Sequence, residues 1–438
     1  MSAPAIDISL PNELNYTKKP DPLPQNTTNT QNVITPNNGS VFGASSYIQL
    51  ELPVQDFLDG GTLYARYQSV IGNGTGTSNI MFGTPAVTPF TRMEMSINGT
   101  TYESIPNYNI IYDKWVNYQM NYAQKAGATN LGYVQPTIGN TAAASAISSV
   151  EVNGSPAFPP STTTVFNVGF NFMSMLSTCD ALVPLCVMPK VVIRLYTDTL
   201  ANMFNNVAPT TGVLNYSIQN FQLVYDSISF GHGVEQLVRT MSPKLLLKTQ
   251  SWSSLTNTLN SGSSGNRSLP FNMYFKSIKS IFSYFQPDNA TNKIFDSVDP
   301  TTNNGNYAYW VGGKSYPTQV IDTFNNRAGI MMELKQAVNG SINTVQAQNM
   351  SITTTEISYT DTGSTSVRQP GKFVFASNTE RLQTKDAFLT GISSFSTAIN
   401  LNVAMNTAIT RSYTVYMYVL YDVIIEIDSA TGSVTVVQ

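Results

Sequence analysis

The chain has 438 residues, a net charge of −3 and only 11% charged residues, against about 25% in an average globular domain. That length accommodates two or more domains. The slightly acidic balance argues against a nucleic-acid binder driven by counterion release, which needs a basic surface.

Asn, Thr, Ser and Gln supply the polar share, with many Tyr and Gly. Such a surface suits a secreted or surface-exposed β protein, or a subunit that buries much of itself in an assembly. Residues 1–43 are rich in Asn, Thr and Pro and set Lys18 and Lys19 against Asp7, Glu13 and Asp21. They read as an extended arm without the charge to condense a genome.

From residue 45 onward the chain reads as strands separated by turns. In "SYIQLELP" (46–53) Ile48, Leu50 and Leu52 form one apolar face. "GTLYARYQSVI" (61–71) is a second strand, and "RMEMSINGTTYESI" (92–105) a hairpin turning at Asn98-Gly99. Tyr108, Ile111, Trp115 and Tyr118 then recur at helical spacing, predicting a short helix ended near Gly127. The Gly/Ala/Ser/Pro-rich stretch 127–161 reads as a long exposed loop. "TVFNVGFNFM" and "PKVVIRLYTD" are strands. "VLNYSIQNFQLVYDSISF" (213–230) is a long strand whose apolar phase slips at Gln219-Asn220 and again before Ile228 and Phe230, predicting bulges at both places.

A second series begins after "MSPK" (241–244). "LLLKTQSWSS" is a strand. "FNMYFKSIKSIFSYFQ" (271–286) is rich in aromatics, its part "KSIKSIFSYF" (276–285) fits strand better than helix, and "YAYWVGGKSYPTQVID" follows it. "NRAGIMMELKQAVN" (326–339) is the clearest helix, with Ile330, Leu334 and Ala337 inward and Glu333 and Lys335 outward. "GKFVFASNTERL" and "AINLNVAMNTA" are strands. Residues 415–425 are apolar apart from Asp422. The run is too short for a membrane helix, which needs about 20 residues, and too rich in β-branched and aromatic residues for a buried one. Tyr413, Val415, Met417, Val419, Tyr421, Val423, Ile425 and Ile427 share one face, predicting a long strand that turns at 428–432 into a last short one.

Signals of chemistry are sparse. Cys179 and Cys186 stand seven apart; a disulfide is open, and two buried thiols is the plainer reading. The single His232 lies between two glycines after a strand and reads as a turn residue. It excludes multi-histidine metal sites. "VIGNGTGTSN" (70–79) lacks the lysine and helix of a phosphate-binding loop. The carboxylates are scattered, and no cofactor or metal site is predicted. Asn-x-Ser/Thr triplets at Asn73, Asn98 and Asn215 arise by chance in such a composition, and Asn215 falls on a predicted strand. With no secretory signal and no disulfide framework, synthesis in the cytosol is expected.

The pattern doubles. Each half has strands, a helical insertion and a long aromatic strand near its end, with Phe221 and Val419 roughly 200 residues apart. The expected fold is all-β: two eight-stranded antiparallel jelly rolls in tandem with short helical insertions. The expected divisions are an arm (1–43), a first roll (44–240) and a second roll (241–438).

In this order the pieces resemble the double-jelly-roll major capsid proteins of small double-stranded DNA viruses, the Polinton-like, virophage and adintovirus group. "SYIQLELPVQDFLDGGTLYARYQSVI" resembles the opening strands and "MEMSINGTTYESIPNYNIIYDKW" the hairpin and helix of the first roll. "LNYSIQNFQLVYDSISF" resembles its closing strand. "YFKSIKSIFSYF" with "YWVGGKSYPTQVID" resembles the start of the second roll. "GKFVFASNTERL", "FLTGISSFSTAINLNVAMN" and "YTVYMYVLYDVIIEIDSATGSV" resemble its end. The chain is shorter than most virophage capsid proteins, so tower insertions should be small, and it lacks the diagnostic motifs of giant-virus capsid proteins.

That resemblance implies a homotrimeric capsomer of pseudo-hexagonal outline in an icosahedral virion shell. Its partners would be neighbouring capsomers, penton proteins and minor or cement proteins, with no sequence-specific nucleic-acid binding and no catalysis. Contact with an inner membrane is left open. Low charge limits repulsion between subunits packed side by side. Trp252, Trp310 and Tyr316 are candidates for the trimer interface, with the core as the alternative place for each. Competing readings are a secreted or surface carbohydrate-binding β-sandwich, a glycosidase with paired carboxylates, and a minor capsid or penton protein with a single roll.

Overall fold

Alternating apolar and polar residues form strands here because β-branched and aromatic side chains fill a pleated, half-buried surface. The computed structural model describes residues 27–72, 80–82, 87–119, 157–158, 163–206, 215–230, 232–241, 243–288, 297–301, 304–323, 326–339, 373–381 and 388–437.

The first half contains β1 (Thr28–Ile34), β2 (Val41–Phe42), β3 (Tyr47–Leu52), β4 (Phe57–Leu58), β5 (Tyr64–Gly72), β6 (Ile80–Phe82), β7 (Phe90–Ile97) and β8 (Thr100–Pro106). After helix α1 (Tyr108–Gln119) come β9 (Ala157–Phe158), β10 (Thr163–Asn171), β11 (Val191–Thr197), a helical turn α2 (Leu200–Met203), β12 (Phe204–Asn206) and β13 (Asn215–Ser229). Helix α3 (His232–Met241) leads to the second half: β14 (Lys244–Leu259), β15 (Gly265–Phe271), β16 (Ile278–Pro287), β17 (Gly305–Val311) and β18 (Lys314–Asp322). Helix α4 (Arg327–Asn339) precedes β19 (Phe375–Asn378), β20 (Ile399–Met405), β21 (Tyr413–Asp428) and β22 (Val434–Val437).

The sheets run β1-β13-β5-β10 and β3-β11-β7-β8 in the first half, and β14-β21-β16-β19 and β15-β20-β17-β18 in the second. Numbering the eight main strands of each half in chain order, both halves read 1-8-3-6 packed on 2-7-4-5. That is the antiparallel order of a jelly roll, and it occurs twice. The long insertion helix falls between the fifth and sixth main strands in both halves. Among the described residues every sheet draws its strands from one half alone. Aromatic rings fill both cores: Tyr67 meets Phe90 at 5.7 Å and Phe221 at 5.6 Å, and Tyr307 meets Phe285 at 5.6 Å and Phe375 at 5.3 Å.

The terminal strand is as expected. Its eight predicted inward residues are buried, and it pairs along its whole length with β14. The Asn98-Gly99 turn also stands: both residues have positive φ, 49° and 82°, as a two-residue hairpin turn of this type requires.

Several expectations are corrected. Residues 28–34 and 41–42, expected within the arm, are strands β1 and β2 paired to β13. The first strand of the first roll was hidden because most of its side chains face solvent; main-chain pairing holds it, so it has no apolar alternation. Of the two predicted bulges in β13, only the first exists: pairing with β5 slips between Gln219 and Gln222. Pairing with β1 runs unbroken from Leu223 to Ser229. Phe230 lies past the strand end, where it packs edge-on against Phe57 at 5.3 Å. The reading of 276–285 as strand rather than helix stands, since β16 begins at Ile278. Glu333 does not face outward but is half-buried on α4, accepting from Ser377 Oγ. His232 opens helix α3, which the reading as a turn missed. Most of the predicted loop 127–161, the expected helix end near Gly127 and residues 73–79 of the glycine-rich stretch lie outside the described residues.

Asn220 sits at the first bulge with φ 52°, a left-handed conformation that costs most L-residues about 1–2 kcal/mol. Asn220→Gly should leave stability nearly unchanged, whereas Asn220→Val should lower it by roughly 1–2 kcal/mol; urea unfolding of the two variants checks this.

Candidate functional site at the junction of the two rolls

The two halves meet along β14, which is an edge strand of its sheet. Exposed edges carry unpaired main-chain groups that invite further pairing. Here the segment after β10 occupies those of Lys248 and Gln250. Asp180 N–H donates to Lys248 O at 3.0 Å, and Lys248 N–H donates to Asp180 Oδ1 at 3.1 Å. Thr178 Oγ1 donates to Gln250 O at 2.8 Å and accepts from Gln250 N–H at 3.2 Å. Strand β8 and the start of α1 extend the seam: Ser254 Oγ donates to Pro106 O at 3.0 Å, Tyr418 OH to Asn107 O at 3.2 Å and Tyr102 OH to Val434 O at 2.7 Å.

An aromatic cluster closes one part of the seam. Trp115 of α1 stands edge-on to Trp252 of β14 with ring centroids 4.9 Å apart, and both contact Phe282 of β16. Trp252 is 4% exposed, so it belongs to the join between the rolls, the interior place named as its alternative. Trp310 is 39% exposed on β17, and Tyr316 is half-buried on the partner strand β18, opposite Tyr309. The structure therefore brings Trp310 and Tyr316 to one hairpin and puts Trp252 elsewhere.

Sequence reasoning missed Glu103. It lies on β8 at a position that alternation marks as inward, and it is buried at the junction. Its two carboxylate oxygens accept Met175 N–H at 3.0 and 3.1 Å, and Oε1 also accepts Ser251 Oγ–H from the second roll. Burial pushes this carboxyl up to about 7, against the pull of the Ser251 and Met175 hydrogen bonds.

The cysteines are free thiols in the same region. Cys179 donates to Met175 O at 3.1 Å. Burial pushes its pKa up to about 12 and that of Cys186 to about 11, leaving neither a ready thiolate. Among the described residues no group of three or more His, Cys, Asp or Glu could hold a metal ion, and no helix is long and apolar enough to cross a membrane. What this arrangement does chemically is to bind two β-sandwiches into one body.

Glu103 gives the seam a pH dependence. The unfolded chain gives up this proton near 4.5 and the folded chain near 7, so folding is penalised increasingly as pH rises between those values. Above 7 the penalty levels at roughly 3 kcal/mol. Glu103→Gln should therefore raise stability at about pH 8 by a few kcal/mol at most and raise it little at about pH 4. Equal effects at the two pH values in denaturant unfolding would refute the assignment.

No family model matches the chain, and no curated protein matches it. Solved structures do. The quasi-atomic model of the PBCV-1 virus capsid aligns with a TM-score of 0.57 at 12% identity, covering 96% of this chain and 99% of that one. The Sputnik virophage structure aligns at 0.57 and 13% identity, covering 100% and 92%. The mavirus major capsid protein aligns at 0.53 and 12% identity, covering 100% and 95%. At these identities the likeness is one of fold, and it is end to end: the chain is a double jelly roll, built as these viral capsid proteins are built.

Proposed function

We propose that the chain is a major capsid protein, a structural subunit of an icosahedral virion rather than an enzyme. The observation that carries this reading is the repeated 1-8-3-6 and 2-7-4-5 strand order in two rolls, held side by side by a buried seam. A chain that supplies two equivalent rolls at a fixed spacing makes a near-hexagonal ring from three copies, and such rings tile a closed shell with few distinct contacts. The end-to-end likeness to capsid proteins supports it, as does the low charge.

Within that reading Trp310 and Tyr316 lie on a hairpin that meets a neighbouring subunit, and residues 1–26 reach an adjacent capsomer or the inner wall of the shell. Penton and minor or cement proteins complete the surface. Synthesis takes place in the host cytosol.

Light scattering should give the mass of three chains, and negative stain a hexagonal outline. A chain that stays monomeric under assembly conditions would sink the trimer. Removing residues 1–26 should leave the trimer intact and impair shell assembly. Trp310→Glu should weaken trimerisation at least tenfold while leaving the unfolding midpoint of the chain nearly unchanged, since truncating or charging a central aromatic of an interface costs about 1.4 kcal/mol or more.

A further inference from the structure

Three charged side chains meet inside the second roll: Lys279 on β16, Asp422 on the adjacent strand β21, and Glu380, just past β19 on the other side of β16. Pairing of β16 with β21 skips one residue between Ile278 and Ser280. Lys279 is that extra residue, and bulges re-aim side chains. Its Nζ lies 2.7 Å from Glu380 Oε1 and 3.6 Å from Asp422 Oδ1. The Lys279 and Glu380 side chains are each 11% exposed and that of Asp422 is fully buried.

The two oxygens of Asp422 differ. Oδ2 accepts Ser277 Oγ–H at 2.6 Å and Leu389 N–H at 3.0 Å. Oδ1 accepts no hydrogen bond from the described residues and faces Lys279. The surroundings hold this arrangement. Asp422 N–H donates to Ser277 O at 3.0 Å, and Gly391 N–H donates to Ser277 Oγ at 3.0 Å. A Cβ at residue 391 would lie 2.1 Å from Ile278 O, so only glycine lets the 389–391 stretch lie this close.

Three ionised groups here would carry one net negative charge out of water, which is costly. Burial holds the Asp422 carboxyl above its ordinary range, ahead of the opposing Ser277 hydrogen bond and Lys279 charge. That shift raises the share of the neutral acid, which is the electrophilic form. An amine beside it, a carboxylate on that amine and two donors on the far oxygen make up the parts of an acyl-transfer centre.

We propose that Lys279 and Asp422 condense to an intramolecular amide, with Glu380 as the proton-transfer group. The Lys279 ammonium passes one proton to the Glu380 carboxylate. The freed amine attacks Cγ of the protonated Asp422, and negative charge develops on Oδ2, where Ser277 Oγ–H and Leu389 N–H stabilise it. Glu380 gives its proton to the departing Oδ1 hydroxyl and takes one from the attacking nitrogen. The Cγ–Oδ1 bond breaks, one water leaves, and Glu380 ends as the neutral acid. No oxidant or cofactor is consumed. Fixed proximity supplies the drive that a bimolecular reaction lacks, since well-oriented intramolecular partners reach effective concentrations of about 10⁵ M or more. The product replaces two buried charges with a neutral amide and ties the third strand of the roll covalently to the eighth. It forms in the isolated chain, whatever that chain assembles into.

Mass spectrometry of the purified full-length protein tests this. Trypsin should release residues 277–293 joined to 412–438, at a mass one water below the sum of the two peptides, and the intact chain should be lighter by the same amount. Lys279→Arg and Glu380→Gln, each checked for folding by circular dichroism, should instead be cut after residue 279 and yield 280–293 and 412–438 as separate peptides. Cleavage after Lys279 with a free 412–438 peptide in the wild-type protein would overturn the bond, and a fully linked Glu380→Gln protein would overturn the role of Glu380.

Discussion

The rest of the structure depends on one constraint: the outer edge of β14 must be covered. Strand β14 pairs on one side with β21 over sixteen residues, and main-chain groups on its other side would otherwise stand open. An edge of that length is an aggregation hazard. The first roll covers it at Lys248 and Gln250 with the Thr178–Asp180 segment, which offers side-chain oxygens and main-chain groups where a further strand would have gone. Covering the edge also fixes the second roll relative to the first, so one set of hydrogen bonds serves both folding and architecture.

The same seam explains its own buried chemistry. Glu103 is an expensive residue to enclose, and its partners show why it is tolerated: it accepts Met175 N–H from its own roll and Ser251 Oγ–H from the other. An apolar residue at 103 would leave those donors unmet, at about 1–3 kcal/mol for a buried one. The Trp115–Trp252–Phe282 cluster supplies apolar burial beside it, and the directional bonds set register. For a subunit proposed to tile a shell, a fixed spacing between its two rolls is the property that matters most.

Lys279, Glu380 and Asp422 form the counterpart inside the second roll. Here the charges sit at a bulge in a central strand rather than at a seam, and the donors on Asp422 are disposed about one oxygen only. Such asymmetry is what separates a reactive centre from an ion pair whose lone pairs are all met. The terminal strand thus carries both the most regular apolar face of the chain and its most unusual buried acid.

How much could be read from the chain alone follows from what each residue answers to. Local rules settled the Asn98-Gly99 turn, the bulge at Gln219-Asn220 and the inward face of residues 413–427, because hairpin turns and strand alternation depend on near neighbours. The doubling of the pattern was legible for the same reason. Strand β1 was not, since a polar edge strand is held by main-chain pairing to β13, nearly two hundred residues away. Phe230 was misread as a phase slip because it lies past the strand end and packs on Phe57 of the neighbouring strand β4. Trp252 could be assigned to no surface from sequence, Glu103 drew no notice, and Asp422 stood only as the one polar residue of 415–425. The sequence by itself determined an all-β chain of two similar sandwiches, through periodicity and turn chemistry. Only the tertiary structure decided how the sandwiches join and which carboxyls lose water, because those depend on residues far apart in sequence that meet only once both rolls have formed.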